Sequence, residues 1–350
     1  DHGLGLLAAN EQIVATGHSL GGFLAAAFAG DTSLHTGDDV LGFNSGVAHA
    51  YTYNAPGTGG ILAQLLELVG VLPSSVTNAQ ITNINAENGL SLIAGLGIQQ
   101  GTVENVFIEA GSSLNNHAIE TLTDSLVEYA LFAQIDPVTL PLASITDILN
   151  AASNMPERSL ETALDALRKL FTPPPAGSVL TPTPIATATD PSTTNKNNRN
   201  QYYLNLEALS TTLSAGVVAA PGPYHVDGLT DDATGAVILQ TQSANGQAYR
   251  YALTQLNPFA IIGETPALTE ALYTPHNTQG ALNLFDASTG IGLTTEYLND
   301  RAAFLAEKIV VNRADAAQSS GAIHFVDRAQ NYEIKTNSII TTDQEFVFGS

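Results

Sequence analysis

Residues 12–29 read Gln12-Ile13-Val14-Ala15-Thr16-Gly17-His18-Ser19-Leu20-Gly21-Gly22-Phe23-Leu24-Ala25-Ala26-Ala27-Phe28-Ala29. The brief apolar run from Gln12 to Gly17, closed by a glycine, predicts a short buried strand. The stretch from Leu20 to about Ala29 predicts a helix whose small residues can lie close on a sheet. Between them Gly17-His18-Ser19-Leu20-Gly21 has the Gly-x-Ser-x-Gly form of a nucleophile elbow, a sharp strand-to-helix turn that lifts a serine hydroxyl clear of a sheet. Five positions are short enough to match by chance, and the plain alternative is a structural glycine-rich turn. The strand before and the helix after are the context that the chemical reading requires. So tight a turn leaves no room for side chains at its flanks, which is the expected role of Gly17 and Gly21. The free N–H groups at the start of the helix face the reacting centre and can stabilise an oxyanion, with the backbone N–H of Leu20 as the expected donor.

Val47–Asn54 alternates and predicts the next strand, closed by Ala55-Pro56-Gly57. Ile61–Val69 reads as helical, Gln80–Asn85 and Val103–Ile108 as strands, and the segment from His117, with Ile119, Leu122, Leu126 and Tyr129 at helical spacing, as an amphipathic helix. Strands alternating with helices imply an α/β fold with a mainly parallel sheet. Helices are expected over about Ala143–Ala152 and from Ser159, where Leu160, Leu164, Leu167 and Phe171 share a face. The Pro/Thr/Asn-rich stretch Thr172–Arg199 reads as an exposed linker. This divides the chain into 1–171, a linker at 172–199, and a smaller region at 200–350 that is helical and then β-like. Within that region Gly246–Leu256 is a helix stopped by Asn257-Pro258, and Thr294 is the expected N-cap of a helix with Leu298, Ala302, Leu305 and Ile309 on one face. Ile323–Val326 and Glu345–Phe348 close the chain as strands.

A serine hydroxyl needs a base, and in this order of elements the partners follow as acid and then histidine. Of the eight histidines, His2 and His35 lie too close to the elbow, His18 adjoins Ser19 with its side chain expected to point away, and His49 falls inside a strand. His225, His276 and His324 lie past the linker. His117 opens a helix behind the loop Ser112-Ser113-Leu114-Asn115-Asn116 and is the candidate base; a helix-capping or exposed histidine is the alternative. Glu87 is the carboxylate placed to orient it, with an exposed turn glutamate as the alternative, and Asp38, Asp39 and Asp124 are poorer choices by position.

The chain has 33 acidic and 11 basic residues, for a net charge of −22. Phosphate neutralisation needs Lys/Arg patches, so nucleic acid is excluded as a partner, and attraction to anionic membranes is disfavoured. Acidity that only maintains solubility is the default explanation. The absence of cysteine removes disulfides, thiolate chemistry and Cys-ligated zinc. No apolar run is long enough for a membrane span; the nearest, Ile61–Leu72, is broken by Gln64 and Glu67. No zinc spacing and no calcium repeat is present, so no cofactor is expected for catalysis. Starting at Asp1, without Met and shortly before its best motif, the chain reads as a fragment or processed product.

The stretch from Ile13 to Pro56 resembles the class 3 (fungal-type) lipases, in which a segment like Ile13-Val-Ala-Thr-Gly-His-Ser-Leu-Gly-Gly22 precedes an alanine-rich helix and a strand end like Tyr51-Thr-Tyr-Asn-Ala-Pro-Gly57 follows. The resemblance covers about the first 135 residues. It implies an α/β-hydrolase, here N-terminally incomplete because that fold places its first strands and a second oxyanion donor before the elbow. It also implies Ser19 as nucleophile, His117 as base, and a lipid or other ester as substrate. The family's acid is an Asp in an Asn-x-x-Asp turn; in this chain Glu87 or Asn88 stands there. The later region, in Ala248–Leu253, Leu256–Phe259, Asp300–Leu305 and Phe346–Ser350, resembles the segment that precedes calcium-binding repeats-in-toxin arrays in large bacterial secreted proteins. That implies export by type I secretion, with Ca2+ bound in repeats beyond Ser350. Two other functions fit the same residues: a catalytically incomplete lipase-like module of an adhesin or toxin, and a peptidase or amidase using the same serine chemistry.

Overall fold

A computed structural model describes residues 13–30, 47–57, 81–86, 101–109, 117–153, 156–175, 177–216, 223–230, 245–315, 321–327, 332–338 and 344–348. The expected helix at Ile61–Val69 lies outside them. The chain forms two compact units, Asp1–Thr123 and Asp124–Ser350.

The first unit is built on a four-stranded parallel sheet in the order β1-β2-β3-β4, from β1 (Ile13–His18), β2 (Val47–Tyr53), β3 (Ile81–Ala86) and β4 (Thr102–Val106). The expected α/β class with parallel pairing is therefore the one that forms. Period-two alternation and the register put Ala15, Ala50 and Ile81 in one row on one face, and Gly17, Thr52 and Asn83 in the next. Helix α1 (Leu20–Gly30) lies over this face, with Ala26 and Ala29 in one cluster with Ala50 and Ile81 and with Ile13, Ala15 and Phe28 at its edge. Small residues on both layers permit that close approach. The polar members of the face are satisfied: buried Thr52 donates to Asn83 Oδ1 (2.7 Å), and Asn83 donates to the Thr102 carbonyl (3.2 Å). On the opposite face the His49 ring meets Thr82 Oγ1 at 2.9 Å, the satisfied sheet histidine that its position in a strand suggested.

The second unit is mostly helical. Helix α2 (Ile119–Ile135) enters it at Asp124, followed by α3 (Leu142–Ala152), α4 (Ser159–Phe171), α5 (Thr193–Gly216), α6 (Gly246–Gln255), α7 (Pro266–Tyr273) and α8 (Thr295–Asp315). Strands β5 (Tyr224–Gly228) and β6 (Phe259–Gly263) pair antiparallel. A three-stranded sheet in the order β8-β7-β9 uses β7 (Gly321–Asp327), β8 (Tyr332–Ser338) and β9 (Gln344–Phe348). Thr294 caps α8 through its hydroxyl, which accepts from the Tyr297 N–H at 3.1 Å, and Leu298, Ala302, Leu305 and Ile309 are all buried. No helix among the described residues is long and apolar enough to cross a membrane.

The stretch Thr172–Arg199, expected to be an exposed linker, is exposed or half-buried at most of its described positions, but it is anchored at a few. Composition predicted exposure because the stretch has little apolar surface, yet Thr183, Ala186 and Asn195 are buried. Polar side chains replace the missing secondary-structure bonds. Asp165 accepts from the Thr183 N–H and hydroxyl, Glu161 accepts from the Ala186 N–H, and the Asn195 amide brackets Thr187, accepting from its N–H (2.7 Å) and donating to its carbonyl (2.6 Å). From Thr193 onward the stretch is helix, capped by the Ser192 hydroxyl, which accepts from the Asn195 N–H (3.2 Å). Arg199, its last residue, donates to both oxygens of Asp124. Strands β5, β6 and β8 also go beyond the sequence reading; β6 is a five-residue apolar run, too short for periodicity to assign.

Glu128 on α2 is fully buried and accepts a hydrogen bond from the Tyr202 hydroxyl of α5 at 3.2 Å. Burial, reinforced by Glu161 and Asp165 and opposed by Tyr202, pushes its carboxyl up to about 8. The unfolded chain releases this proton near pH 4.5 and the folded chain near 8, so ionisation erodes stability as pH rises between those values. Glu128→Gln should therefore gain stability over the parent by up to about 1.4 kcal/mol per pH unit across that window, measured from urea midpoints. A difference that does not vary with pH would show that the folded protein carries Glu128 ionised.

Candidate active site

The corner between β1 and α1 is set by backbone contact. A Cβ on Gly17 would overlap the carbonyl of Gly21, and a Cβ on Gly22 would lie 2.7 Å from both the Ala55 Cβ and the Gly17 carbonyl oxygen. Gly21 itself has open space among the described residues. The second glycine required for the close approach is thus Gly22, and Gly21 contributes its carbonyl, not a missing side chain. The turn forces Ser19 to φ +55°, a left-handed conformation that non-glycine residues seldom adopt. Its N–H donates to the Tyr53 carbonyl (2.9 Å), and its own carbonyl accepts from Gly22 (3.0 Å) and Phe23 (3.1 Å). Ser19 is thereby tied to the end of β2 and to the first turn of α1. Leu20 and Gly21 open the helix, so their N–H groups have no acceptor within it.

His117 approaches this corner from beyond β4. Its Nε2 lies 2.9 Å from Ser19 Oγ, across a separation of 98 residues. Burial, and then the nearby charge of His18, lowers its pKa below the ordinary 6.5, so the imidazole is neutral at neutral pH.

His18 does not point away as the sequence suggested. Its ring stands 4.9 Å from that of His117, and its Nε2 donates to the His117 backbone carbonyl at 2.8 Å. A carbonyl only accepts, so that bond assigns the proton to His18 Nε2. His18 is the site residue that sequence reasoning missed; its adjacency to Ser19 was visible, but its contact with a backbone 99 residues away was not.

Glu87 lies outside the described residues, one position beyond the end of β3 at Ala86. Asn54 fastens that strand end: with φ +46° it accepts the Ala86 N–H on Oδ1 (2.9 Å) and donates its own N–H to the Ile84 carbonyl (2.9 Å). Asp124 is engaged by Arg199, His225 meets Thr139 Oγ1, and His276 meets the Leu170 carbonyl. Asp38, Asp39, His2 and His35 are outside the described residues. Among the described residues no group of three or more His, Asp or Glu side chains could hold a metal ion. Compared with protein-family models, curated proteins and solved structures, the chain matches none.

Gly17→Ala and Gly22→Ala should each cost roughly 1–3 kcal/mol through overpacking. Gly21→Ala, at an open helical position, should be neutral or stabilising by up to about 1 kcal/mol. Thermal unfolding of the three variants tests this ranking, and a Gly21→Ala variant as damaged as the other two would contradict it. Replacing His18 by Gln removes its charge from beside His117, so the His117 ring should titrate at higher pH than in the parent, as followed by NMR. An unmoved titration would show that the two rings are not electrostatically coupled.

Proposed function

We propose that this protein is a serine carboxylic-ester hydrolase of the lipase or esterase kind, built on an α/β-hydrolase fold. The observation that carries the proposal is Ser19 Oγ, held at a left-handed strand-to-helix corner, 2.9 Å from His117 Nε2. The order of parts supports it: serine after β1, the Glu87 position after β3 and histidine after β4, all beyond the carboxyl ends of parallel strands.

In this reading neutral His117 accepts the Ser19 proton on Nε2 as Oγ attacks the ester carbonyl. The developing oxyanion is stabilised by the Leu20 N–H at the start of α1. His117 then returns the proton to the departing alcohol, and water, activated by the same imidazole, releases the acid from the acyl-enzyme. Glu87 is the proposed acid that orients the imidazole. An apolar acyl group suits the surroundings, because Leu20 beside the serine, Leu24 one turn further and Ile119 beside the histidine are large apolar side chains left exposed. Acidic, cysteine-free composition suits export, and the resemblance of the later region to segments that precede calcium-binding repeats suggests Ca2+ bound in such repeats outside this region.

Ser19→Ala should lower turnover of short-chain aryl esters by about three to six orders of magnitude, and a fluorophosphonate should label Ser19 in the parent. Activity should fall toward acid with a midpoint below 6.5, as His117 takes up a proton. A folded protein whose Ser19 stays unlabelled would make this corner a scaffold, not a catalyst.

A further inference from the structure

The second unit contains a cavity of about 360 Å³ bounded by α4, the extended stretch 179–185 and the turn between α6 and β6. It has room for about a dozen water molecules and falls within the range of small-ligand sites. Leu180 and Phe259 give it an apolar wall, and Lys169 of α4 and Lys308 of α8 line it with cations.

Two carboxylates, Asp165 and Glu161, share the lining. Asp165 accepts from Arg168 and from the N–H and hydroxyl of Thr183, while Glu161 accepts from the Ala186 N–H. Among the described residues neither Lys169 nor Lys308 has a carboxylate within ion-pair distance, and Lys169 makes no hydrogen bond. Lys308 does have a structural role, donating to the Leu256 carbonyl (3.2 Å) beyond the last turn of α6, where Arg301 donates to Leu253 and Thr254. That contact uses one acceptor, whereas an ammonium carries three N–H groups. A helix C-terminus also offers only about half a negative charge against these cations. Burial, with Arg301 and Lys169 nearby, draws the Lys308 ammonium down to about 8, so it is still charged at neutral pH. In a chain of net charge −22, the enclosed Lys308 ammonium has no carboxylate within ion-pair distance among the described residues, and an anion bound in the cavity would oppose it together with the exposed Lys169.

We propose that this cavity binds an amphiphilic carboxylate, with its headgroup taken by Lys169 and Lys308 and its apolar tail lying along Leu180 and Phe259. An inorganic anion would use the lysines and leave the apolar wall uncovered; an alcohol would cover the wall and leave the charges unopposed. The site belongs to the second unit and does not depend on the chemistry of Ser19.

Calorimetric titration of the full chain at neutral pH with octanoate, acetate and 1-octanol tests the proposal. Octanoate should bind about tenfold tighter or more than either of the others. Lys308→Met and Lys169→Gln should each weaken octanoate by a similar factor. Lys169 is exposed on α4, so Lys169→Gln should unfold at the parent's temperature. The proposal is overturned by equal affinity for octanoate and acetate, by equal affinity for octanoate and 1-octanol, or by no binding. Octanoate binding undiminished in folded Lys169→Gln would place the ligand elsewhere and overturn it as well.

Discussion

The contact between the backbone of Gly17 and that of Gly21 governs the first unit. It brings α1 down onto β1 within two residues of the strand's end, and Ser19, which joins the two elements, stands in a left-handed conformation. Strain of that kind, of order 1–3 kcal/mol, persists only where the surroundings over-determine it. Here they do so through the Tyr53 carbonyl on one side and the first turn of α1 on the other. The hydroxyl is consequently presented at the edge of the sheet, next to helix N–H groups. A looser corner would let the serine relax and turn inward.

Around that corner two histidines divide the work between side chain and backbone. His117 brings its imidazole to the hydroxyl, and His18 holds the His117 carbonyl and sets a second imidazole beside the first. The arrangement disfavours protonation of His117 by burial and by charge. His18 touches His117 through its ring and through the bond from its Nε2 to the His117 carbonyl.

The second unit is held together differently. Its extended 177–192 stretch is fixed by carboxylates and amides of the neighbouring helices, and Glu128 is buried as an acid among them. Such networks cost desolvation and return geometric definition only when every member finds a partner. Lys169 and Lys308 line the neighbouring cavity together with Arg158, Glu161 and Asp165.

The amino-acid sequence alone determined what depends on near neighbours. Alternation and small residues specified β1, α1 and β2; the spacing of Leu298, Ala302, Leu305 and Ile309 specified α8; and Thr294 marked its start. These are steric and periodic effects that act within a few residues. It also singled out Ser19 and His117, by motif and by elimination, without the distance between them. Only the tertiary structure decided that Gly22, and not Gly21, is the crowded glycine, that His18 turns toward His117, and that Thr183, Ala186 and Asn195 within Thr172–Arg199 are buried. Each depends on partners remote in sequence, whose identity is set by how the chain closes on itself and leaves no periodic trace in the residues concerned.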